Sequence, residues 1–232
     1  RLVGSEMCIR DRDFSLSIMR NETLAITGDN GAGKSTLLHL LLRLAAPDRG
    51  RITIDGHDIA SYQLATVRQQ IGLVAQQTLL LGSTVRENIA YGEPGASRTD
   101  IERAAKRACA HEFICRLPRG YDSVIGEQGV RLSGGQRQRI SLARTLLTDP
   151  PILALDEATS RFDPIGEEDF IRNCQQLFAQ KTVILITHQP ACLALADRII
   201  RLSSGGAFTI EKGFSEEQIQ FQENKEAGQR HG

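Results

Sequence analysis

Residues 28–36 read Gly28-Asp-Asn-Gly-Ala-Gly-Lys-Ser-Thr36 and fit the pattern G-x-x-x-x-G-K-[ST] of a phosphate-binding loop. The apolar run Leu24-Ala-Ile-Thr27 precedes this loop and the leucine-rich stretch 37–44 follows it, which predicts a buried strand before it and a helix after it. Glycines let successive backbone N–H groups turn toward a phosphate, and the helix adds the positive end of its dipole. An ordinary glycine-rich turn is the alternative, which the Lys-Ser pair in register disfavours. The pattern predicts a nucleoside triphosphate site.

Individual positions of the loop have separate predicted roles. Lys34 is placed to reach the β- and γ-phosphates, and the hydroxyl of Ser35 is placed to ligate Mg²⁺. The other residues of the loop that we expect to contact the nucleotide are Gly28, Asn30, Gly31, Ala32, Gly33 and Thr36.

Composition narrows the class of protein. The 232 residues suffice for one large or two small domains with a real core. Lys plus Arg and Asp plus Glu both number 28, so the strongly basic surface that nucleic-acid binding needs is absent and we expect no nucleic-acid partner. The five cysteines form no C-x-x-C pair, which argues against a zinc site and favours free thiols. No apolar stretch approaches the roughly 20 residues of a membrane-spanning helix, so any membrane role requires a partner or a further segment.

A second string, Leu132-Ser-Gly-Gly-Gln-Arg-Gln-Arg139, is predicted to open a helix. Ser133 is a favoured N-cap residue, and the helix should extend to Thr148, where Asp149-Pro-Pro151 stops it. The Gly-Gly amides and the helix dipole would bind a γ-phosphate.

This string resembles the signature motif of the ATP-binding-cassette (ABC) family, and four further motifs occur in the order along the chain that is typical of that family. Gln76, after an apolar strand, is similar to the Q-loop glutamine, and Pro151-Ile-Leu-Ala-Leu-Asp-Glu157 resembles the Walker B strand with its two carboxylates. Ser160-Arg-Phe-Asp163 occupies the position of the D-loop, and His188 that of the switch histidine. The resemblance extends from about Asp13 to about Leu202.

The resemblance implies ATP and Mg²⁺ as ligands and a role for each motif residue. Asp156 would hold Mg²⁺, directly or through water, and Glu157 would polarise the attacking water. Gln76 would contact both Mg²⁺ and the water, and His188 would contact the γ-phosphate and Glu157. Adjacent carboxylates usually form a solvated turn and a lone glutamine usually lies on the surface, but here both follow apolar strands. The implied catalytic set is Glu157, His188 and Gln76, and the implied metal set is Ser35, Gln76 and Asp156.

The resemblance also implies that the site is incomplete in one chain. In the family two cassettes face head to tail, and the signature motif of one closes over ATP held by the phosphate loop of the other. A second ABC cassette, identical or not, is therefore an expected partner. The D-loop of this chain departs from the usual Ser-Ala-Leu-Asp at Arg161 and Phe162. The residues expected to act across the interface are Ser133, Gly134, Gly135, Gln136 and Asp163.

The stretches 82–92 and 117–129 resemble the helical subdomain of exporters, in which the cassette is fused behind a six-helix transmembrane domain. Gly126-Glu127 resembles the loop that contacts the intracellular helices of that domain. The resemblance therefore implies an ATPase that powers export, with a transmembrane domain fused upstream, at the cytoplasmic face of a bacterial inner membrane.

Two alternatives stay open at this point. A soluble ABC ATPase of the translation-factor or chromosome-maintenance kind would show a second cassette or long heptads, and this sequence has neither. A non-hydrolysing nucleotide-binding module is disfavoured because Glu157 and His188 are both present.

The predicted fold class is α/β, a P-loop NTPase core with a mainly parallel sheet, a small antiparallel N-terminal part and an inserted helical subdomain. A helical pattern covers 99–117 without a strand. Strand-like runs lie at 24–27, 51–54, 71–75, 152–155, 182–187 and 198–202. The predicted organisation is a leader at 1–12, a nucleotide-binding core at 13–76, a helical signature subdomain at 77–149, core completion at 150–210 and a polar tail at 211–232.

Residues 1–12 do not continue the family pattern that becomes readable at Asp13. They resemble translated sequencing-adapter read-through, so we set them aside from the fold prediction, with a native but divergent leader as the alternative. Cassettes of the family stack adenine on an aromatic residue in this part of the chain. Residues 1–12 contain no Trp, Tyr or Phe, and the first tyrosine is Tyr62, so the sequence predicts weak binding with little preference for adenine.

Overall fold

A computed structural model of the chain describes residues 7–11, 14–126, 129–158, 171–172, 174–175, 177–203 and 208–212. The strands are β1 Met7–Asp11, β2 Phe14–Ile18, β3 Thr23–Gly28, β4 Arg51–Ile54, β5 His57–Asp58, β6 Ile71–Val74, β7 Ile152–Asp156, β8 Thr182–Ile186, β9 Arg198–Leu202 and β10 Phe208–Lys212. The helices discussed below are α1 Lys34–Leu41, α2 Leu64–Gln70, α3 Val85–Ile89, α4 Arg98–Arg107, α5 His111–Cys115, α6 Gly134–Leu147 and α7 Pro190–Leu193.

These strands form two sheets. The larger has the order β10-β9-β3-β8-β7-β6, in which the strands from β9 to β6 run parallel and β10 pairs antiparallel with β9. The smaller has the order β2-β1-β4-β5 and is antiparallel throughout. The predicted mainly parallel sheet with a small antiparallel part is confirmed.

Alternating residues of the central strands bury both faces of the larger sheet. On β8, Val183 and Leu185 join one core cluster with residues of the helical subdomain, such as Ile140 of α6. Ile184 and Ile186 join the other cluster, which contains the leucines of α1 and strands of the smaller sheet. Because successive side chains point to opposite faces and both faces are covered, the central residues of β7 and β8 are apolar on both faces.

Helices α3 to α6 lie in the sequence between β6 and β7, as the predicted helical subdomain requires, and α6 packs against α3, α4 and β6. The helical pattern predicted over 99–117 is confirmed, but the chain forms two helices there, α4 and α5, with a break between them. Cys109 has a left-handed φ of 52°, and the N–H of Ala110 donates to the carbonyl of Ala105 at 2.8 Å, which ends α4. Both helices bury apolar residues in one cluster, so hydrophobic periodicity does not reveal the break.

Part of the segment set aside from the fold prediction belongs to the fold. Met7–Asp11 forms β1 between β2 and β4, with Ile9 opposite both Leu16 and Ile52. Excluding these residues from the sheet was therefore wrong, and their read-through origin stays a prediction. Residues 1–6, 12–13 and 213–232 lie outside the described residues, and 211–212 belong to β10.

A buried ion pair joins β9 to the turn before β3. Arg198 Nε lies 2.7 Å from Glu22 Oε1, and the two side chains are 2% and 7% exposed. Burial raises the pKa of Glu22, and the charge of Arg198 offsets part of that rise. Removing one partner of such a pair is costly, because the remaining charge would be buried alone.

Among the described residues, no helix is long and apolar enough to cross a membrane.

Candidate nucleotide site

The carboxyl ends of four neighbouring strands carry most of the predicted site residues. β3 leads into the phosphate loop, β8 into His188, β7 into Asp156 and Glu157, and β6 toward Gln76. These strands are parallel, so their carboxyl ends meet at one edge of the sheet, where open α/β sheets bind ligands. The strand order therefore brings together motifs that are far apart in the sequence.

The phosphate loop wraps around the side chain of Lys34. Gly28 ends β3 and Lys34 begins α1, and Lys34 Nζ donates to the carbonyls of Gly28 at 2.5 Å and Asp29 at 2.9 Å. An ammonium group has three N–H donors and no acceptor, so a third donor is left for an anion. The loop thus holds the ammonium group of Lys34 inside the turn, and its contact with the phosphates stays a prediction.

The middle of this loop is an open cradle. Gly31 and Gly33 have φ of 81° and 96°, in the left-handed region that favours glycine, and no described atom beyond the adjoining residues lies within 4 Å of where a Cβ would stand. Asn30 is exposed, Ala32 is buried, and Ser35 and Thr36 are exposed in the first turn of α1. A cradle of this kind at the start of a helix fits a chain of phosphates.

Two oxygen donors meet beside the cradle. Ser35 Oγ donates to Asp156 Oδ2 at 3.4 Å, which joins the first turn of α1 to the end of β7. Burial raises the pKa of the Asp156 carboxyl, and the charge of Glu157 raises it further, while the bond from Ser35 lowers it by less. Hydroxyl and carboxylate oxygens are ligands that Mg²⁺ prefers, so this donor set fits the ion.

Glu157 and Gln76 are in direct contact although they are 81 residues apart in the sequence. Gln76 Nε2 donates to Glu157 Oε2 at 2.5 Å. Glu157 follows the last residue of β7 with a φ of 47°, which is uncommon for a residue other than glycine, and its N–H donates to the carbonyl of Ile186 at 2.9 Å. The contact brings together the two residues that the family resemblance assigns to the attacking water.

His188 lies at the same edge by topology, two residues beyond β8, and its side chain is exposed. The N–H of Thr187, just before it, donates to the carbonyl of Ile26 on β3 at 3.4 Å. No hydrogen bond joins His188 to Glu157 among the described residues. The position of His188 agrees with the sequence prediction, and its contact with Glu157 stays a prediction.

The signature motif forms a capped helix start. Ser133 Oγ accepts from the N–H of Gln136 at 3.2 Å, and Gln136 Oε1 accepts from the N–H of Ser133 at 2.9 Å, so the predicted N-cap is confirmed. Ser133 is exposed, Gly134 half-buried and Gly135 buried. The helix ends at Leu147, with Thr148 as its C-cap. None of the described hydrogen bonds of the motif reaches the phosphate loop.

Sequence reasoning missed one polar residue near the site, Gln138. Its side chain is 1% exposed, and its Nε2 donates to the carbonyl of Glu157 at 3.2 Å. A glutamine in a helix usually indicates a solvent-exposed position. Gln138, however, precedes the buried Leu142 and Thr145 by four and seven residues, and this helical spacing could have placed it on the inner face of α6. Asp163, Arg161, Phe162 and Glu127 lie outside the described residues.

Comparison with known proteins gives consistent matches. The family model described as ABC transporter matches residues 12–160. The cyclolysin secretion/processing ATP-binding protein CyaB of Bordetella pertussis is 47% identical over 194 residues, which are 84% of this chain and 27% of the relative. The ATP-dependent lipid A-core flippase of Syntrophus aciditrophicus is 45% identical over 226 residues, covering 92% of this chain and 37% of the relative. The chain thus spans well under half the length of these curated relatives.

Among solved structures, that of a bacterial Atm1-family ABC exporter with ATP bound matches with a TM-score of 0.82 and 40% identity. The match covers 88% of this chain and 38% of the exporter chain. The likeness supports the α/β fold with its helical subdomain.

Proposed function

The chain belongs to the ABC transporter family, and from that premise we propose that it is a nucleotide-binding domain that hydrolyses ATP to drive export across a membrane. The observation that carries the proposal is the convergence of Lys34, Ser35, Asp156, Glu157 and Gln76 at one sheet edge. Relatives that carry the words secretion and flippase in their names support export over a soluble ABC ATPase.

Each residue at the edge has a distinct task in this proposal. Lys34 and the amides of the open cradle bind the phosphates. Glu157 accepts a proton from the attacking water, and Gln76 orients both the Glu157 carboxylate and this water. Ser35, Asp156 and Gln76 would hold Mg²⁺, which neutralises charge on the phosphates when bound. His188 supports the γ-phosphate from the end of β8. The chemistry consists mainly of positioning and charge neutralisation.

The second half of the site is proposed to come from another cassette. Ser133 is exposed at the N-terminus of α6, where the backbone amides of the first turn and the helix dipole favour an anion. A head-to-tail pair would bring this motif over the γ-phosphate bound by the partner, with Asp163 at the interface. Two composite sites follow from the twofold symmetry of such a pair.

The partner on the membrane side is proposed to dock on an exposed apolar patch, defined here by Leu79, Leu81, Tyr91 and Val124. These side chains are 85%, 46%, 62% and 37% exposed. Arg144 organises part of the patch, because its Nη1 donates to the carbonyl of Leu79 and its guanidinium lies 5.4 Å from the centre of the Tyr91 ring. Clustered exposed apolar groups mark interaction surfaces. The proposed occupant of this surface is a transmembrane domain fused upstream, which would hold the cassette at the cytoplasmic face of the inner membrane.

Substitution of the proposed base tests the function. Glu157→Gln should leave ATP binding intact, slow turnover by roughly 10²–10⁴-fold as loss of a positioned base does, and trap an ATP-bound dimer. The measurements are steady-state hydrolysis with Mg²⁺, nucleotide binding, and sizing with ATP. In the unsubstituted chain, hydrolysis should rise more than linearly with protein concentration. A monomeric Glu157→Gln protein in ATP and Mg²⁺, or full activity in a monomeric sample, would contradict the proposal.

A further inference from the structure

Gln138 is a buried polar side chain with only half of its amide satisfied. Its Nε2 donates to the Glu157 carbonyl at 3.2 Å, whereas no described group donates to its Oε1. An unpartnered acceptor in the protein interior reduces stability, and an apolar side chain of the same shape would avoid that cost but would leave the Glu157 carbonyl without this donor. A glutamine at this position is therefore poorly explained by packing alone, and its one hydrogen bond ends on the proposed base.

The backbone of Glu157 is held from two sides in an uncommon conformation. Its N–H donates to Ile186 at the end of β8, and its carbonyl accepts from Gln138 on α6. A non-glycine residue with a φ of 47° persists only where its surroundings fix it. These two bonds therefore set the direction in which the Glu157 carboxylate leaves the backbone and meets Gln76.

We propose that Gln138 is a positioning residue that ties the signature helix to the catalytic base of the same chain. Gln138 lies five residues after Ser133, within the first turns of α6, so a displacement of the helix start is carried to the Glu157 carbonyl. In a head-to-tail pair Ser133 serves the ATP of the partner, whereas Glu157 serves the ATP of its own loop. Gln138 thus links the two composite sites through one chain, an inference that rests on the proposed function.

Thr145 provides a matched control on the same helix. It is buried, and its single hydroxyl hydrogen is shared between the carbonyls of Leu73 at 3.2 Å and Ser141 at 3.1 Å, so it also joins α6 to the sheet. Neither of these hydrogen bonds involves Glu157. Thr145→Val removes a buried hydrogen bond between helix and sheet without touching the proposed base.

The first measurement separates positioning from packing. Gln138→Met removes the Nε2 donor and the orphaned Oε1 while filling the same space. We expect kcat to fall by about 10- to 100-fold, as misplacement of a reacting group does, with KM within about threefold of the unsubstituted chain. Tm should fall by no more than about 3 °C or should rise. Thr145→Val should lower Tm while kcat stays within about twofold. Gln138→Leu serves as a second variant if Gln138→Met aggregates.

A double-mutant cycle then tests whether Gln138 acts through Glu157. In the Glu157→Gln background, measured by single turnover, Gln138→Met should cause no further slowing, because residues that act as a unit are not additive. The same factor of slowing in both backgrounds, or an unchanged kcat for Gln138→Met alone, would overturn the inference. Unchanged turnover of Glu157→Gln alone would instead overturn the proposed function, so the two failures are distinguishable.

Discussion

The phosphate loop and the signature motif both contain glycines and both start a helix, yet their side-chain hydrogen bonds join residues at different separations in the sequence. Around the loop, Ser35 reaches Asp156 on β7, and the neighbouring edge joins Gln76 to Glu157. In the signature motif, the described side-chain hydrogen bonds of Ser133 and Gln136 join only the backbone of these same two residues. The loop is thus completed by other strands of the same chain, whereas the side-chain bonds of the signature motif stay within its own helix start. This difference is what the proposed head-to-tail pair requires, in which each region supplies half of a site.

The comparison is tested most strongly by mixing two inactive variants. Each proposed site has a loop half, the phosphate loop with Asp156, Glu157 and Gln76 of one chain, and a signature half, Ser133–Gln136 of the other. Lys34→Ala disables the loop half, and Ser133→Asp disables the signature half by placing a carboxylate against phosphate. Each alone should lose about 10²-fold or more in turnover, as loss of an electrostatic stabiliser does. In a head-to-tail pair of the two, one site keeps both intact halves, so an equal mixture should recover about a quarter of full activity by symmetry.

The measurement is ATP hydrolysis at constant total protein, with each variant alone and in mixtures. A mixture no more active than its components would show that the two regions do not combine across chains. Mixing Lys34→Ala with Glu157→Gln is the matched control, because both substitutions lie in the loop half and should not complement each other.

A smaller effect concerns the base of the nucleotide. The loop half binds phosphates, and residues 1–12 carry no aromatic side chain to stack on adenine. Stacking is worth about 1–3 kcal/mol per base, which is roughly 5- to 150-fold in affinity. We expect the chain to bind ATP and GTP with similar, weak affinity, as measured by calorimetry.

Replacing residues 1–12 with an exporter segment that contains a tyrosine should restore tighter and adenine-selective binding. The same segment with phenylalanine in place of tyrosine should behave alike, and with alanine should not. Low micromolar binding of ATP by the present chain, clearly above GTP, would show that another aromatic residue serves or that the leader is native.

The smallest effect separates the cap from the ligand role of Ser133. Ser133→Ala should destabilise the chain by about 1 kcal/mol through loss of the N-cap, which lowers Tm by about 2–4 °C in a protein of this size. Ser133→Asp and Ser133→Asn should retain the cap and stay near the original Tm, since all three residue types accept from the helix N–H groups. The measurement is the Tm of each variant by thermal unfolding without nucleotide, compared with that of the unsubstituted chain. A stable Ser133→Ala protein would show that the capping box does not hold the helix start.

Features that depend on neighbouring residues could be predicted from the sequence. The turn of the phosphate loop and the cap at Ser133 involve residues at most six apart, so residue type and spacing suffice to specify them. The break at Cys109 is also local, yet it escaped prediction because apolar periodicity continues across it. β1 escaped because its residues did not continue the family pattern, although Met7-Cys8-Ile9-Arg10 has nearly the alternation of a strand.

The sequence by itself determined the class of ligand and the order of the motifs, because glycine conformations, caps and apolar runs are local properties of the chain. Only the tertiary structure decided that Gln76 touches Glu157 and that Gln138 holds the Glu157 backbone. The contact between Gln76 and Glu157 follows from the pairing of β6 with β7. The bond from Gln138 to Glu157 follows from the packing of α6 against the sheet at β6. Strand order and helix placement are set by how the whole core packs, so contacts between distant residues exist only once that core has formed.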